Sequence, residues 1–463
     1  MKYIPAQWLI ALLWSPLLVL WLAPVQAADS MSFAEAMERL ESSSHVLEAA
    51  RLELAQARSE LDQARGRRLP TVSLEGRATR LDSPLDIELS DVLPGFGGLL
   101  PPGLAPVRYE IQSEQFYNLA LQARMPLYTG GRISAGVAAG QAGAEAGEAA
   151  VAATRARLHE LLVQRYFGLS LAGEAVKVRS ATVVGLARHL DDALRLEEEG
   201  LIARAERLRA NVALAEAQRD LRTAEEQYAL AGAALAALLT LPGPPSPGTP
   251  IPPPPESPEL AELTDQAMAD NPTLDELRSR EAQAEAAVRA ERGGFMPTLG
   301  AFGRREIYTG DLTLLDPDWA VGLVAEWTLF DGFQRRARLD QAAARSDRVT
   351  ALRADAERQI ELLLRQRHEQ LVAALARLDS FAATRELAEE SLRAQQRAFE
   401  EGLASSLDVI DAELALSRVR LGELDARLQA WNALAGLYSA SGQTSRLPDQ
   451  IQAQLAHTEY QSD

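Results

Sequence analysis

Residues 125–132 read MPLYTGGR, and 202 positions further on residues 327–334 read WTLFDGFQ. Each stretch ends an alternating segment, breaks at a glycine and is followed by about 70 residues without a proline. Each of those runs closes on an acid, a glycine and a leucine: Glu199-Gly200-Leu201 and Glu401-Gly402-Leu403. Leu127/Leu329, Gly130/Gly332, Ala135/Ala337, Leu161/Leu363, Leu162/Leu364, Leu190/Leu392 and Gly200/Gly402 coincide without a gap. The chain contains one unit twice, and a repeat of fixed period governs every other reading.

Between its glycines the unit is rich in Ala, Leu, Arg and Glu and reads as one very long helix. In the second copy Leu339, Ala342, Val349, Ala356, Ile360 and Leu363 keep the three/four spacing of a coiled-coil seam. The stripe then passes to Leu364, Leu371, Leu375 and Leu378, so more than one neighbour must be covered. Arg132 to Glu198 is 67 residues, about 100 Å at 1.5 Å per residue. Gly200 is a natural helix stop. A second helical run, Arg204 to Leu239, must then return antiparallel, and the same holds after Gly402.

Before each long helix lies a pair of alternating segments. Val72, Leu74, Gly76 and Ala78 alternate with Ser73, Glu75, Arg77 and Thr79. Tyr117, Leu119, Leu121, Ala123, Met125 and Leu127 alternate with Asn118, Gln122 and Arg124. Residues 298–308 are weaker, and Trp319, Val321, Leu323, Ala325, Trp327 and Leu329 are the cleanest. Such segments, apolar on one face and polar on the other, are the pattern of transmembrane β-barrel strands. Trp319 and Trp327 stand eight residues apart on the apolar face. That separates them by roughly 20 Å along the membrane normal, the spacing of two aromatic girdles. A soluble sandwich edge is the plainer alternative.

Lys2, the apolar run Trp8–Leu22 and Val25-Gln26-Ala27 form a secretory signal peptide with a cut after Ala27. The chain has no cysteine, which excludes disulfides, thiolate metal sites and a lipid-modified N-terminal cysteine. No other segment is apolar for 18 residues, so a membrane crossing must use strands. The organisation expected is a signal peptide, 1–27, then a first repeat, 28–240, with helix 31–66, strands 69–81 and 113–128, long helix 132–199 and return helix 203–240. A proline-rich linker, 241–258, which cannot be helix or strand, leads to the second repeat, 259–442. That repeat has helix 259–292, strands 296–308 and 318–330, long helix 334–401 and return helix 405–440, and a polar tail, 443–463, ends the chain. Between its first two strands the first repeat carries about 25 residues more than the second, within Ser83–Pro106. These are a long extracellular loop or a disordered linker.

There is no phosphate loop, no nucleophile elbow and no dinucleotide fingerprint after a strand. His159-Glu160 lacks a second histidine at metalloprotease spacing, and His189, near a helix end, reads as solvated. The net charge is −18, with basic and acidic residues interspersed along the helices, which argues against nucleic acid as a partner. Neither an enzyme, a cofactor nor a metal site is expected. The fold class is mainly α with a small β part.

Four motifs stand in order along the mature chain: Pro126-Leu127-Tyr128-Xaa-Gly130, Glu199-Gly200-Leu201, Leu329-Phe330-Asp331-Gly332, and Gly402 followed by Ser405-Xaa-Leu407-Asp408-Val409-Ile410-Asp411-Ala412. With the helix, two strands, long helix and return helix repeated once, the chain resembles the TolC family of outer-membrane efflux proteins. The resemblance implies a homotrimer in the outer-membrane lipid. Its 12-stranded barrel, four strands per protomer, continues into a long periplasmic α-helical barrel. It also implies a passive exit duct that docks a periplasmic adaptor (membrane fusion protein) and an inner-membrane transporter, in efflux or type I secretion. The physics agrees: four strands cannot close a barrel, and open edges are excluded from lipid. Two copies would give eight strands, filled by their own side chains. A periplasmic coiled-coil rod or adaptor is the competing class, but it gives the Trp319–Trp327 face nothing to cover it.

The resemblance places the closed end at the turns Gly200-Leu201 and Gly402-Leu403, which also face the adaptor. It assigns Asp408 and Asp411 to the pore constriction, two carboxylate rings in a trimer, which favour cations. Ser405 and Asp408 also read as an N-cap and its N3 partner, and that alternative stands for Asp408. This chain departs from the family pattern in carrying Ala404 at a gating arginine and Phe399 at a tyrosine. Glu206 stands at the partner acid, crowded by Arg204, Arg207 and Arg209. Either the closed-state ion pairs have swapped sides, with arginines from repeat one and aspartates from repeat two, or these arginines only solvate a turn.

Overall fold

The computed structural model describes residues 30–88, 108–309 and 317–462. The expected signal peptide and most of the 83–106 insertion lie outside them. Two short helices, α1 (Phe33–Ser43) and α2 (His45–Gly66), precede the first strands, and α5 (Leu260–Asp270) and α6 (Pro272–Gly293) precede the second pair. The first set was expected as one run, 31–66, and the second over 259–292 with an interruption at Asn271-Pro272. The first divides because Ser44 is extended (φ −71°, ψ 114°), ending α1, while its hydroxyl accepts from Leu47 N–H at 3.3 Å to cap α2. Asn271 does the same for α6, accepting from Thr273 and Leu274 N–H ahead of Pro272.

Strands β2 (Thr71–Arg80), β5 (Gln115–Tyr128), β7 (Thr298–Thr309) and β8 (Trp319–Glu326) form an antiparallel sheet in the order β2-β5-β7-β8. Between β2 and β5, β3 (Leu85–Glu88) and β4 (Arg108–Gln112) form a separate hairpin. That gives the expected loop a paired stem. Val72 stands opposite Ala123, Leu74 opposite Leu121, and Leu323 opposite Ala301, so one face is an apolar row. Val72, Leu74, Trp319, Val321 and Leu323 on that row are all more than half exposed. The last strand stops at Glu326, four residues short of the expected end. Trp327 turns out of the ladder and donates its indole N–H to Phe295 O at 3.1 Å.

From the sheet the chain enters α3 (Arg132–Glu198), turns at Gly200 and returns as α4 (Arg204–Leu238). The second copy is α7 (Gln334–Glu400), Gly402 and α8 (Ser406–Ala440). The long helices have 67 residues each and the return helices 35, so both hairpins keep the 202-residue offset at every end. The sheet and the helix turns stand at opposite ends of these helices, about 100 Å apart at 1.5 Å per residue. Along α3 lie first α2 and then α4. Small residues set the approach: a Cβ on Gly140 would meet the Leu61 backbone at 3.1 Å, and one on Gly173 would meet Tyr228 at 3.2 Å.

Where α2 gives way to α4, the main core gathers. Phe33, Tyr166, Phe167 and Trp431 are fully buried or nearly so, with ring centroids 5.4–5.9 Å apart. The proline-rich linker packs here and contains a strand residue pair, contrary to expectation: β6 (Ser246–Pro247) pairs in parallel with β1 (Ser30–Met31). Proline cannot donate, but its carbonyl and its neighbours' amides can be used. Trp431 Nε1–H donates to Pro252 O at 2.8 Å, and Thr249 N–H donates to Tyr166 Oη at 2.9 Å. The tail is likewise more than a polar end. A 3₁₀ turn (Thr444–Arg446) leads into α9 (Leu447–Ser462), whose Leu447 and Ile451, one turn apart, are buried in the core.

Candidate functional site

The two helix turns share one geometry. Gly200 (φ +75°) and Gly402 (φ +74°) take the left-handed conformation that a side chain resists. Leu201 N–H donates back to Leu196 O and Leu403 N–H to Ala398 O, both at 2.8 Å, closing each long helix with a Schellman motif. The turn residues project outward: Leu201 is 68% and Leu403 78% exposed.

The first turn of α8 carries the carboxylates. Asp408 Oδ2 accepts from Ser405 N–H at 2.8 Å and from Ser405 Oγ–H at 2.7 Å. These two donors, the hydroxyl first, hold the Asp408 carboxyl below the usual value. The cap and an ionised, exposed carboxylate therefore coexist. Asp411, one turn further, is exposed and has no hydrogen bond or ion pair among the described residues.

Two of the three turn arginines of repeat one are committed to acids of their own repeat. Arg207 pairs with Glu197, and Arg209 with Glu206 at 2.6 Å. Within the protomer neither meets Asp408 or Asp411. Arg204 is exposed and unpaired among the described residues. The second oxygen of Glu206 crosses to repeat two, where Ser406 N–H donates to Oε2 at 3.2 Å. Glu206 thus joins the two hairpins through a helix N-terminus rather than through an arginine.

Beside it lies a group that the sequence reading placed in solvent. His189 of α3 is 4% exposed, and its Nε2 lies 2.5 Å from Ser406 Oγ, itself fully buried. Phe399 of α7 stacks edge-on against the imidazole at 4.5 Å and is 2% exposed. Phe399 is therefore a packing residue, grouped with Ala193, Ala210 and Val409. Burial pushes the His189 pKa down, against the pull of Asp192 and Glu206. The signal was present: Thr182, Leu186, His189 and Ala193 keep three/four spacing, and all four are buried. Further along α8, Glu413 is buried against Gly185, and burial pushes its carboxyl up despite Arg420 and Arg188.

Trp319 and Trp327 stand at the other end of the molecule, 65% and 62% exposed. Among the described residues no three His, Cys, Asp or Glu side chains gather to hold a metal ion, and no helix is long and apolar enough to cross a membrane.

A family model described as outer membrane efflux protein matches residues 36–240 and 263–443. Solved structures share the fold. The outer-membrane channel OprN is 21% identical, with TM-score 0.71, covering 89% of each chain. The outer membrane protein VceC of Vibrio cholerae is 19% identical, with TM-score 0.71, covering 89% of this chain and 96% of its own. The MtrE outer membrane channel of Neisseria gonorrhoeae, in its open state, is 20% identical, with TM-score 0.72, covering 89% and 88%. No curated protein matches the sequence.

Proposed function

The chain belongs to the outer membrane efflux protein family, and from that premise we propose that it is the exit duct of a tripartite efflux or type I secretion system, gated at its periplasmic helix turns. As a member of that family it is an outer-membrane efflux channel with a long periplasmic helical extension. The observation that carries the finer reading is the open sheet. Among the described residues β2 and β8 end it without partners, and its apolar face has no cover. In lipid such edges must be paired, and three copies pair them in a ring of twelve strands. The helix hairpins then continue the ring into the periplasm, where an adaptor and an inner-membrane transporter complete the path.

In that trimer Asp408 and Asp411 form two carboxylate rings at the narrow end. The Ser405 hydrogen bonds are compatible with that role of Asp408, since they hold its exposed carboxyl below the usual value. Arg204 is the repeat-one cation left to meet Asp411 of a neighbouring protomer. The turns at Gly200-Leu201 and Gly402-Leu403, with their exposed leucines, offer the adaptor its contacts.

The test is conductance of the purified protein in planar lipid bilayers. Discrete cation-selective channels are expected, blocked by millimolar divalent cations from the periplasmic side and relieved in Asp408→Ala/Asp411→Ala. A protein that stays soluble without detergent and forms no channels would overturn the reading.

A further inference from the structure

Five arginines lie in the four-stranded sheet, and four of them have partners. Arg77 pairs with Glu75 at 2.8 Å, Arg80 with Glu114 at 2.8 Å and Arg304 with Glu306 at 2.6 Å. Arg124 donates to Gln122 Oε1 at 3.3 Å. Arg305 alone is exposed with no ion pair or hydrogen bond among the described residues.

Its position explains why no internal partner is available. Arg305 stands opposite Leu121 of β5 and Trp319 of β8, so it belongs to the apolar face. Among the described residues that face carries no acid within the sheet: β2 contributes Val72, Leu74, Gly76, Ala78 and Arg80, whose partner Glu114 lies just before β5, and β8 contributes Trp319, Val321, Leu323 and Ala325. Tyr308 follows on β7 opposite Leu119, and Tyr117 lies opposite Ala78. Both rings are about as exposed as Trp319, at 60% and 59%. All of them sit at the ends of the strands remote from the helices, among the residues suited to a membrane–water boundary.

A guanidinium cannot lose its proton there, and it presents a planar fork of donors that matches phosphate in a bidentate way. Among the described residues no carboxylate of the sheet lies on its face to pair with it, so a counter-charge from outside the chain suits it. At the lipid-facing outer rim the available anion is a headgroup phosphate. The outer leaflet of an outer membrane is built of phosphorylated glycolipid. We propose that Arg305, seated against Trp319, binds a phosphate of such a glycolipid, with the acyl chains lying along Leu121, Val321 and Leu323. The site rests on the barrel reading above and makes each protomer a specific lipid receptor.

The trimer purified in neutral detergent is examined by native mass spectrometry with bisphosphorylated lipid A, with the same lipid lacking its phosphates, and with inorganic phosphate alone. Wild type is expected to retain the bisphosphorylated lipid, up to one per protomer. Arg305→Gln should lower retention at least tenfold, Arg305→Lys should restore part of it, and inorganic phosphate should not be retained. Equal retention by Arg305→Gln, or equal retention of the phosphate-free lipid, overturns the site. Retention of inorganic phosphate in the lipid's place overturns the lipid assignment. Conductance of Arg305→Gln is measured in parallel and should match wild type, so loss of lipid cannot be confused with misfolding. Absence of channels in wild type sinks the duct reading instead.

Discussion

Asp408 answers two demands with one carboxylate. It closes the start of α8 by accepting from Ser405, and it remains an exposed carboxylate beside Asp411. The two roles separate by mutation. Ser405→Ala removes the hydroxyl donor, costing about 1 kcal/mol of local helix stability, but leaves both charges at neutral pH, so divalent block should persist. Asp411→Asn touches no hydrogen bond and should weaken the block several-fold in the same bilayer recording; an unchanged block removes Asp411 from the constriction. A different residue-scale constraint sits at Gly130. Its φ is +63°, and a Cβ there would lie 2.3 Å from Gly293 O. Gly130→Ala combines left-handed strain of about 1–2 kcal/mol with overpacking of about 1–3 kcal/mol. Thermal unfolding should show a clear loss, whereas Gly200→Ala, with nothing within 4 Å, should show only the strain. The glycines were legible because the repeat places Gly130 over Gly332 and Gly200 over Gly402. The joint at His189 was not, because the spacing of Thr182, Leu186, His189 and Ala193 marks a buried face but not the serine 217 positions away that the histidine meets.

At the scale of elements, the second hairpin is fixed to the first at its tip by four residues of four different helices. His189 of α3 and Glu206 of α4 both hold Ser406 of α8, and Phe399 of α7 covers the imidazole. Burial lowers the His189 pKa in this arrangement. The joint is therefore complete above about pH 6.5, the unfolded histidine value, and is lost as pH falls through the lower folded value. Groups on the neighbouring elements set the balance. Asp192 and Glu206 oppose the shift, and Phe399 and Ser406 are uncharged. Glu413, further along the same seam, carries a raised pKa, so its penalty grows in the opposite direction, as pH rises. Protection from hydrogen exchange at the start of α8, taken relative to the intrinsic rate at each pH, should fall on acidification in wild type. His189→Gln should abolish that pH dependence, and an identical profile in the variant would mean that a group other than His189 governs the tip. The helices themselves were readable from the sequence, since proline-free runs between left-handed glycines leave few alternatives. The break at Ser44, the paired linker and the packed α9 were not. The linker and α9 depend on distant partners, Thr249 on Tyr166, Pro252 on Trp431 and Leu447 on the core, while the break at Ser44 is a local cap that nothing in Ser42-Ser43-Ser44 singles out.

For the whole molecule the decisive feature is that the protomer is unfinished. Its sheet exposes Val72 and Leu74 on one edge strand and Val321 and Leu323 on the other. Its hairpins present Leu352, Leu362, Leu387, Leu403 and Leu407 to solvent. Burying such a leucine is worth about 1.5–3 kcal/mol, so a lone protomer forgoes much of its own stability. The sequence foretold this through the apolar alternation of the strands, whose rows fit no core within one chain. What it left unsaid was the register in which one copy's β8 meets the next copy's β2, because no residue pattern along an edge strand fixes a partner on another chain. That register is open to direct measurement, helped by a chain with no cysteine of its own. A cysteine at Val321, combined in turn with one at Val72, Leu74, Gly76 or Ala78, places both thiols on the apolar face of their strands. In a closed ring of three, oxidation of the correct pair should yield covalent dimers and trimers on a denaturing gel, with the neighbouring pairs giving far less. Cross-linking at one step of β2 would fix the register and, with it, the stagger of the barrel. If no pair cross-links in protein that still conducts, β2 and β8 do not meet, and the ring must be closed by some other contact.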